Sequence, residues 1–81
     1  MKQTVDKYGV TFIVESYYQY IAVDKNLDVY CYEEKPTLKD GEWCSNNFEF
    51  LKNIKDAYDY PDDFYKDSLE EITVDNDDIV F

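Results

Sequence analysis

The spacing of apolar positions changes partway along the chain. Val10-Thr11-Phe12-Ile13-Val14, rich in β-branched and aromatic residues and preceded by Gly9, reads as a strand. Glu15-Ser16 allows a turn, and residues 17–23 supply a second strand. Asp24-Lys25-Asn26 is then a run of turn formers in which Asn26 tolerates a left-handed backbone. Residues 27–32 alternate cleanly, with Leu27, Val29 and Cys31 on one face and Asp28, Tyr30 and Tyr32 on the other. Two strands joined by so short a polar turn predict an antiparallel hairpin. Glu33-Glu34-Lys35-Pro36 closes it, because Pro36 has no N–H for a central ladder. Asp40-Gly41 predicts a second small hairpin that carries Trp43 back over the sheet. Trp43 then serves either as packing at the core or rim, or as an exposed anchor for a partner.

Further on the period lengthens. Ser45, Asn46 and Asn47 are candidate N-caps, and Phe48, Leu51, Ile54, Lys55 and Tyr58 recur at three and four. This spacing predicts a helix over 47–58, with the alternation of Phe48 and Phe50 leaving a strand start as the rival. Pro61 breaks the chain. After it Phe64, Tyr65, Ser68, Leu69 and Ile72 form the apolar stripe of a second short helix, with Asp62 and Asp63 in its first turn, where the helix dipole favours anions. Thr73-Val74 and Ile79-Val80-Phe81 are candidates for a returning edge strand. The expected fold is therefore α+β: an antiparallel sheet of three or four strands with one or two short helices packed on it, in one domain over 1–81.

Charge alters this picture more than any motif does. The chain of 81 residues carries 19 acids against 8 bases, all lysine, for a formal net charge of −11, and it has no histidine. No basic surface for direct nucleic-acid binding can be built from such a chain. Imidazole chemistry and imidazole zinc ligation are closed to it. Nine Tyr, five Phe and one Trp are too many aromatics for a disordered acidic tail. Apolar runs such as Phe12-Ile13-Val14 are far short of a membrane span, and anionic membrane surfaces repel so acidic a protein. Cytoplasm is the expected compartment. Cys31 and Cys44 are read as two thiols, Cys31 in the core, with a single bridge as the other possibility.

The acids are unevenly placed. Residues 1–55 hold nine acids and seven lysines, a net of −2, whereas residues 56–81 hold ten acids and one lysine, a net of −9. On the expected helix after Pro61, Asp63, Asp67 and Glu70 fall away from Leu69 and Ile72, and Asp56 and Asp59 precede them at the same spacing. Carboxylates one helical turn apart lie roughly 5–6 Å from each other, close to the separation of neighbouring phosphates. Such a face, made of Asp56, Asp59, Asp62, Asp63, Asp67, Glu70, Glu71, Asp75, Asp77 and Asp78, is the expected partner-binding surface. It would imitate nucleic-acid phosphates and fill the basic groove of a host nucleic-acid-binding protein, the chain being a monomer or homodimer. Its plainer reading is a solubilising surface. The alternative is an acidic interaction module that binds protein through the tyrosines of the central hairpin: Tyr18, Tyr20, Tyr30 and Tyr32 can share an outer face, unless helices cover both sides of the sheet. No catalytic residue, metal site or cofactor is expected. Asp75-Asn76-Asp77 opens like a calcium loop, but the chain ends before the twelfth position. Phosphate loops, nucleophile elbows and Cys–His pairs do not occur in the sequence.

The stretch Tyr20-Ile21-Ala22-Val23-Asp24-Lys25-Asn26-Leu27-Asp28-Val29-Tyr30, followed by Lys35-Pro36 and Trp43, resembles a hairpin found in small bacteriophage-encoded proteins. Asp67-Ser68-Leu69 is similar to a short segment near their ends. The turn departs from that pattern in having Asn26-Leu27 where a Gly is usual. In charge and size the chain also resembles phage DNA-mimic inhibitors of the anti-restriction and anti-CRISPR type and inhibitors of uracil-DNA glycosylase. That resemblance implies counter-defence or takeover of a bacterial host, and it carries over no functional residue.

Overall fold

Tyr8 and Gly9 both take positive φ, 57° and 76°, and this pair folds the first strand directly back onto the second. The computed structural model describes residues 1–72. In it β1 (Lys2–Lys7) pairs antiparallel with β2 (Val10–Glu15), in register from Lys2 opposite Glu15 to Lys7 opposite Val10. Val5, Phe12 and Val14 turn inward and are buried, while Ile13 on the other face is 66% exposed. β1 is not predicted by periodicity, because Val5 is the single large apolar residue of an otherwise polar strand. It exists through its ladder with β2.

The central hairpin forms as expected. β3 (Tyr20–Val23) and β4 (Asp28–Tyr32) pair antiparallel with Tyr20 opposite Tyr32 and Val23 opposite Val29. The left-handed residue of its turn is Leu27, at φ 72°, and not Asn26. The second small hairpin is also present, β5 (Thr37–Lys39) against β6 (Glu42–Cys44). Its two-residue turn has Asp40 at φ 53° and Gly41 at φ 83°.

Neither expected helix forms, and among the described residues the fold is nearly all β instead of α+β. The segment 47–58 contains β7 (Phe48–Asn53), which pairs antiparallel with β4 at the edge of the central sheet. The ladder runs from Tyr30 opposite Phe50 to Val29 opposite Lys52, so Leu51 is one residue too many on β7. A bulge of this kind switches the side-chain alternation. Phe48 and Phe50 face one side, Leu51 packs towards the core, and Ile54 is buried just beyond the strand. The spacing of three between Phe48, Leu51 and Ile54 is thus the signature of an interrupted strand and imitates a helical period.

The second expected helix is reduced to one 310 turn, Phe64–Asp67. Its backbone bonds are Phe64 N–H to Pro61 O at 3.0 Å and Lys66 N–H to Asp63 O at 3.1 Å. The chain then joins the open edge of β3 as β8 (Glu70–Glu71), with Ile21 opposite Glu70, and Ile72 N–H donates to Gln19 O at 2.7 Å. Sheet pairing along this edge satisfies backbone groups that a continuing helix would leave open. The candidate edge strand at 73–81 lies outside the described residues.

The central sheet has the order β7-β4-β3-β8. On its inner face Ile21, Val23, Val29 and Cys31 meet Val5, Phe12 and Val14 of the β1–β2 hairpin, with Ile54, Ile72 and Tyr18 completing the cluster. Tyr18 therefore belongs to the core and not to an outer tyrosine face. The opposite face carries Ala22, Tyr30, Tyr32, Phe48 and Phe50 by alternation. There the Tyr32 hydroxyl donates to Trp43 O at 3.2 Å, and both Ala22 and Tyr32 are buried.

Candidate functional site

The acidic segment from Ile54 to Ile72 is a strap laid across the sheet and held at separate points. Ile54 and Ile72 enter the core. The Tyr60 hydroxyl donates to Tyr8 O at 2.7 Å, and the Phe64 ring lies 4.6 Å from Tyr60 and 5.7 Å from Tyr8. Trp43 Nε1–H donates to Tyr65 O at 3.1 Å. Ser68 makes the tightest link. Its Oγ accepts Val23 N–H at 2.9 Å and lies 3.1 Å from Val23 O and 2.8 Å from Tyr65 O, the two acceptors for its proton. A hydroxyl here completes the β3 edge at Val23, two residues beyond Ile21, the last position that β8 pairs.

Between these anchors Asp56, Asp59, Asp62, Asp63, Asp67, Glu70 and Glu71 are all exposed. They do not form the expected helical row. Only Asp63 and Asp67 flank a turn of helix, and Glu70 and Glu71, adjacent on β8, point to opposite sides of the strand. Among the described residues Glu70 alone of the seven is in an ion pair, with Lys7 at 3.2 Å. Asp75, Asp77 and Asp78 lie outside the described residues. No group of three or more potential metal-ligating side chains converges among the described residues.

A second surface differs from the expected tyrosine face of the hairpin. On the outer face of the sheet Phe48 and Phe50 are 56% and 51% exposed, neighbours on the edge strand β7. Tyr30, half-buried, touches both in edge-to-face geometry, with ring centroids 5.8 Å from Phe48 and 5.5 Å from Phe50. The Tyr-rich face expected on the central hairpin is thus displaced: Tyr32 is buried, Tyr20 is half-buried, and the exposed aromatic area comes from β7. The alternation of Phe48 with Phe50 was the sequence signal for it, masked by the bulge at Leu51.

Between this patch and the β5–β6 hairpin lies an open cavity of about 200 Å³, walled by Tyr30, Tyr32, Trp43 and Phe48, with Asp24 and Glu42 beside them. Asp24 reads in the sequence as a turn former and nothing more. Folded, it is 9% exposed, and its Oδ1 accepts Trp43 N–H at 2.9 Å. Burial holds its carboxyl above the usual aspartate range, the nearby Glu42 and Asp28 carboxylates add to the rise, and the Trp43 bond opposes it. Burial also raises the Tyr32 and Tyr30 hydroxyls, so both rings are neutral. Chemically this is an apolar aromatic lining with negative charge at its floor and rim.

Cys31 is fully buried, and burial pushes its thiol up to about 12; Cys44 is exposed at the cavity edge, and both are free. No helix of the described residues is long and apolar enough to cross a membrane. No protein-family model, curated protein or solved structure matches this chain, so the role of these surfaces rests on their chemistry.

Proposed function

We propose that this protein is a non-catalytic acidic binding protein of the cytoplasm that docks a basic protein partner on the aromatic face of Tyr30, Phe48 and Phe50. The observation that carries the reading is the exposure of two neighbouring phenylalanines on an edge strand, beside a cavity that holds the carboxylates of Asp24 and Glu42. Clustered exposed aromatics are costly to hydrate and typical of interface cores. A net charge of −11 steers a positively charged partner towards them and raises the association rate.

A second reading is supported by the strap. Six of its seven described carboxylates stand outside any ion pair among the described residues, while the backbone beneath them is tied down. Such fixed, unneutralised charge suits imitation of nucleic-acid phosphates in the groove of a nucleic-acid-binding protein, even without helical spacing. Capture of partners from bacterial lysate on immobilised protein separates the two. Aromatic docking predicts a partner that survives salt and added DNA and is lost with Phe50→Ser. Phosphate imitation predicts release by DNA and by salt, and loss on Asp63→Lys with Asp67→Lys. If Phe50→Ser leaves capture unchanged, the aromatic reading is wrong.

A further inference from the structure

The cavity beside the aromatic face has a composition that selects one kind of occupant. We infer that it is a subsite for a single arginine side chain of the docked partner, with the guanidinium lying in the corner between the rings of Tyr30 and Phe48, stacked on one and edge-on to the other, and its N–H groups directed to Asp24 and Glu42. The inference deepens the proposed docking function and rests on it.

Size comes first. About 200 Å³ is below the roughly 300–1,000 Å³ of small-molecule pockets and suits one side chain. The walls are four aromatic residues, whose ring faces attract cations. Asp24 supplies the anchor. One of its oxygens is committed to Trp43 N–H, while no donor among the described residues meets Oδ2, although the residue is nine-tenths buried. A carboxylate oxygen left open beside an aromatic-walled cavity is a strong acceptor for a charged donor that enters it. Glu42, exposed at the rim, offers a second carboxylate. A planar guanidinium can stack and donate at the same time, which the compact, strongly hydrated ammonium of lysine cannot do equally well.

Titration of the full chain with N-acetyl-arginine amide, followed by two-dimensional 15N NMR, tests this directly. Saturating shifts are expected at the Trp43 indole N–H and at the Cys44 and Ser45 amides, with a dissociation constant on the order of millimolar, as befits one side chain. N-acetyl-citrulline amide, which has nearly the same shape without the charge, should bind at least about tenfold more weakly, and N-acetyl-lysine amide should also be weaker. Asp24→Asn keeps an acceptor for Trp43 N–H and should lose about tenfold in arginine-amide affinity. Glu42→Gln, on an exposed side chain, gives a smaller loss and serves if Asp24→Asn disturbs the fold. Equal binding of citrulline or lysine, or unsaturated shifts spread along residues 56–71, overturns the assignment. Because the probe needs no partner, its failure removes the arginine subsite alone. The docking reading stands or falls separately on capture by Phe50→Ser.

Discussion

Ser68→Ala tests whether the acidic strap is truly part of the sheet. Val23 N–H and C=O turn away from β4, since the next residue, Asp24, donates its own N–H to Asp28 O. In the native chain the Ser68 hydroxyl meets both Val23 groups, at 2.9 Å and 3.1 Å, and both residues are buried. Alanine leaves the Val23 N–H without a partner where water has no ready access. A buried unpaired donor costs about 1–3 kcal/mol, and the small volume change adds little. Taking about 2 kcal/mol, and about 4–8 °C per kcal/mol for a domain of this size, the midpoint should fall by about 8–16 °C. Thermal unfolding followed by circular dichroism reads the loss, and native-state hydrogen exchange should show the Val23 amide exchanging faster in the variant. A drop below about 3 °C with unchanged Val23 exchange would refute the account, because the strap would then not be held by this hydroxyl.

Three further outcomes follow from the same geometry. Asp24 has its folded-state carboxyl raised, so between the ordinary aspartate value and the folded one the folded chain holds a proton that the unfolded chain has released. Stability therefore falls as pH rises from the ordinary aspartate range, about 3.9, through the folded value, and is regained on acidification. The melting midpoint should rise as pH is lowered from neutrality towards the ordinary aspartate range, about 3.9, and Asp24→Asn should shrink that rise; an equal rise in both chains would exclude Asp24 as its source. A thiol reagent should modify Cys44 in the native protein and reach Cys31 only on unfolding, a stoichiometry of one then two per chain that mass spectrometry can count. Gly9→Ala should lower stability by about 1–2 kcal/mol in urea unfolding: Gly9 sits at φ 76°, and an added Cβ would run into the Tyr58 ring. A neutral effect would mean that the Tyr8-Gly9 turn relaxes without loss.

What could be read from the residues was decided by how local its cause is. The β3–β4 and β5–β6 hairpins were legible because a turn and its flanking strands lie within a dozen residues, and Asp40-Gly41 states its own backbone requirement. β1 was not, since Lys2–Lys7 becomes a strand only through β2. β7 was misread because the bulge at Leu51 changes which side of the sheet each apolar residue faces, a decision made by Val29 and Tyr30 on another strand. After Pro61, the stripe of Phe64, Tyr65, Ser68 and Ile72 was a real list of anchors, but they meet the ring of Tyr60, the indole of Trp43, the edge of β3 and the core instead of one helix-binding surface. The acids were visible at once in composition. Their arrangement, and the promotion of Asp24 from turn former to cavity floor, depended on contacts distant in sequence.

The junction of Val23 with Ser68 also has a consequence for the making of the protein. Forty-five residues separate the two partners. At roughly 5–20 residues per second a ribosome adds the second about 2–9 s after the first. The β1–β2 hairpin can close early in that interval, whereas β3 waits with a bare flank until almost the whole strap has been synthesised. Translational pauses within the strap would lengthen that exposure, and nascent chains stalled there should be the ones that recruit chaperones.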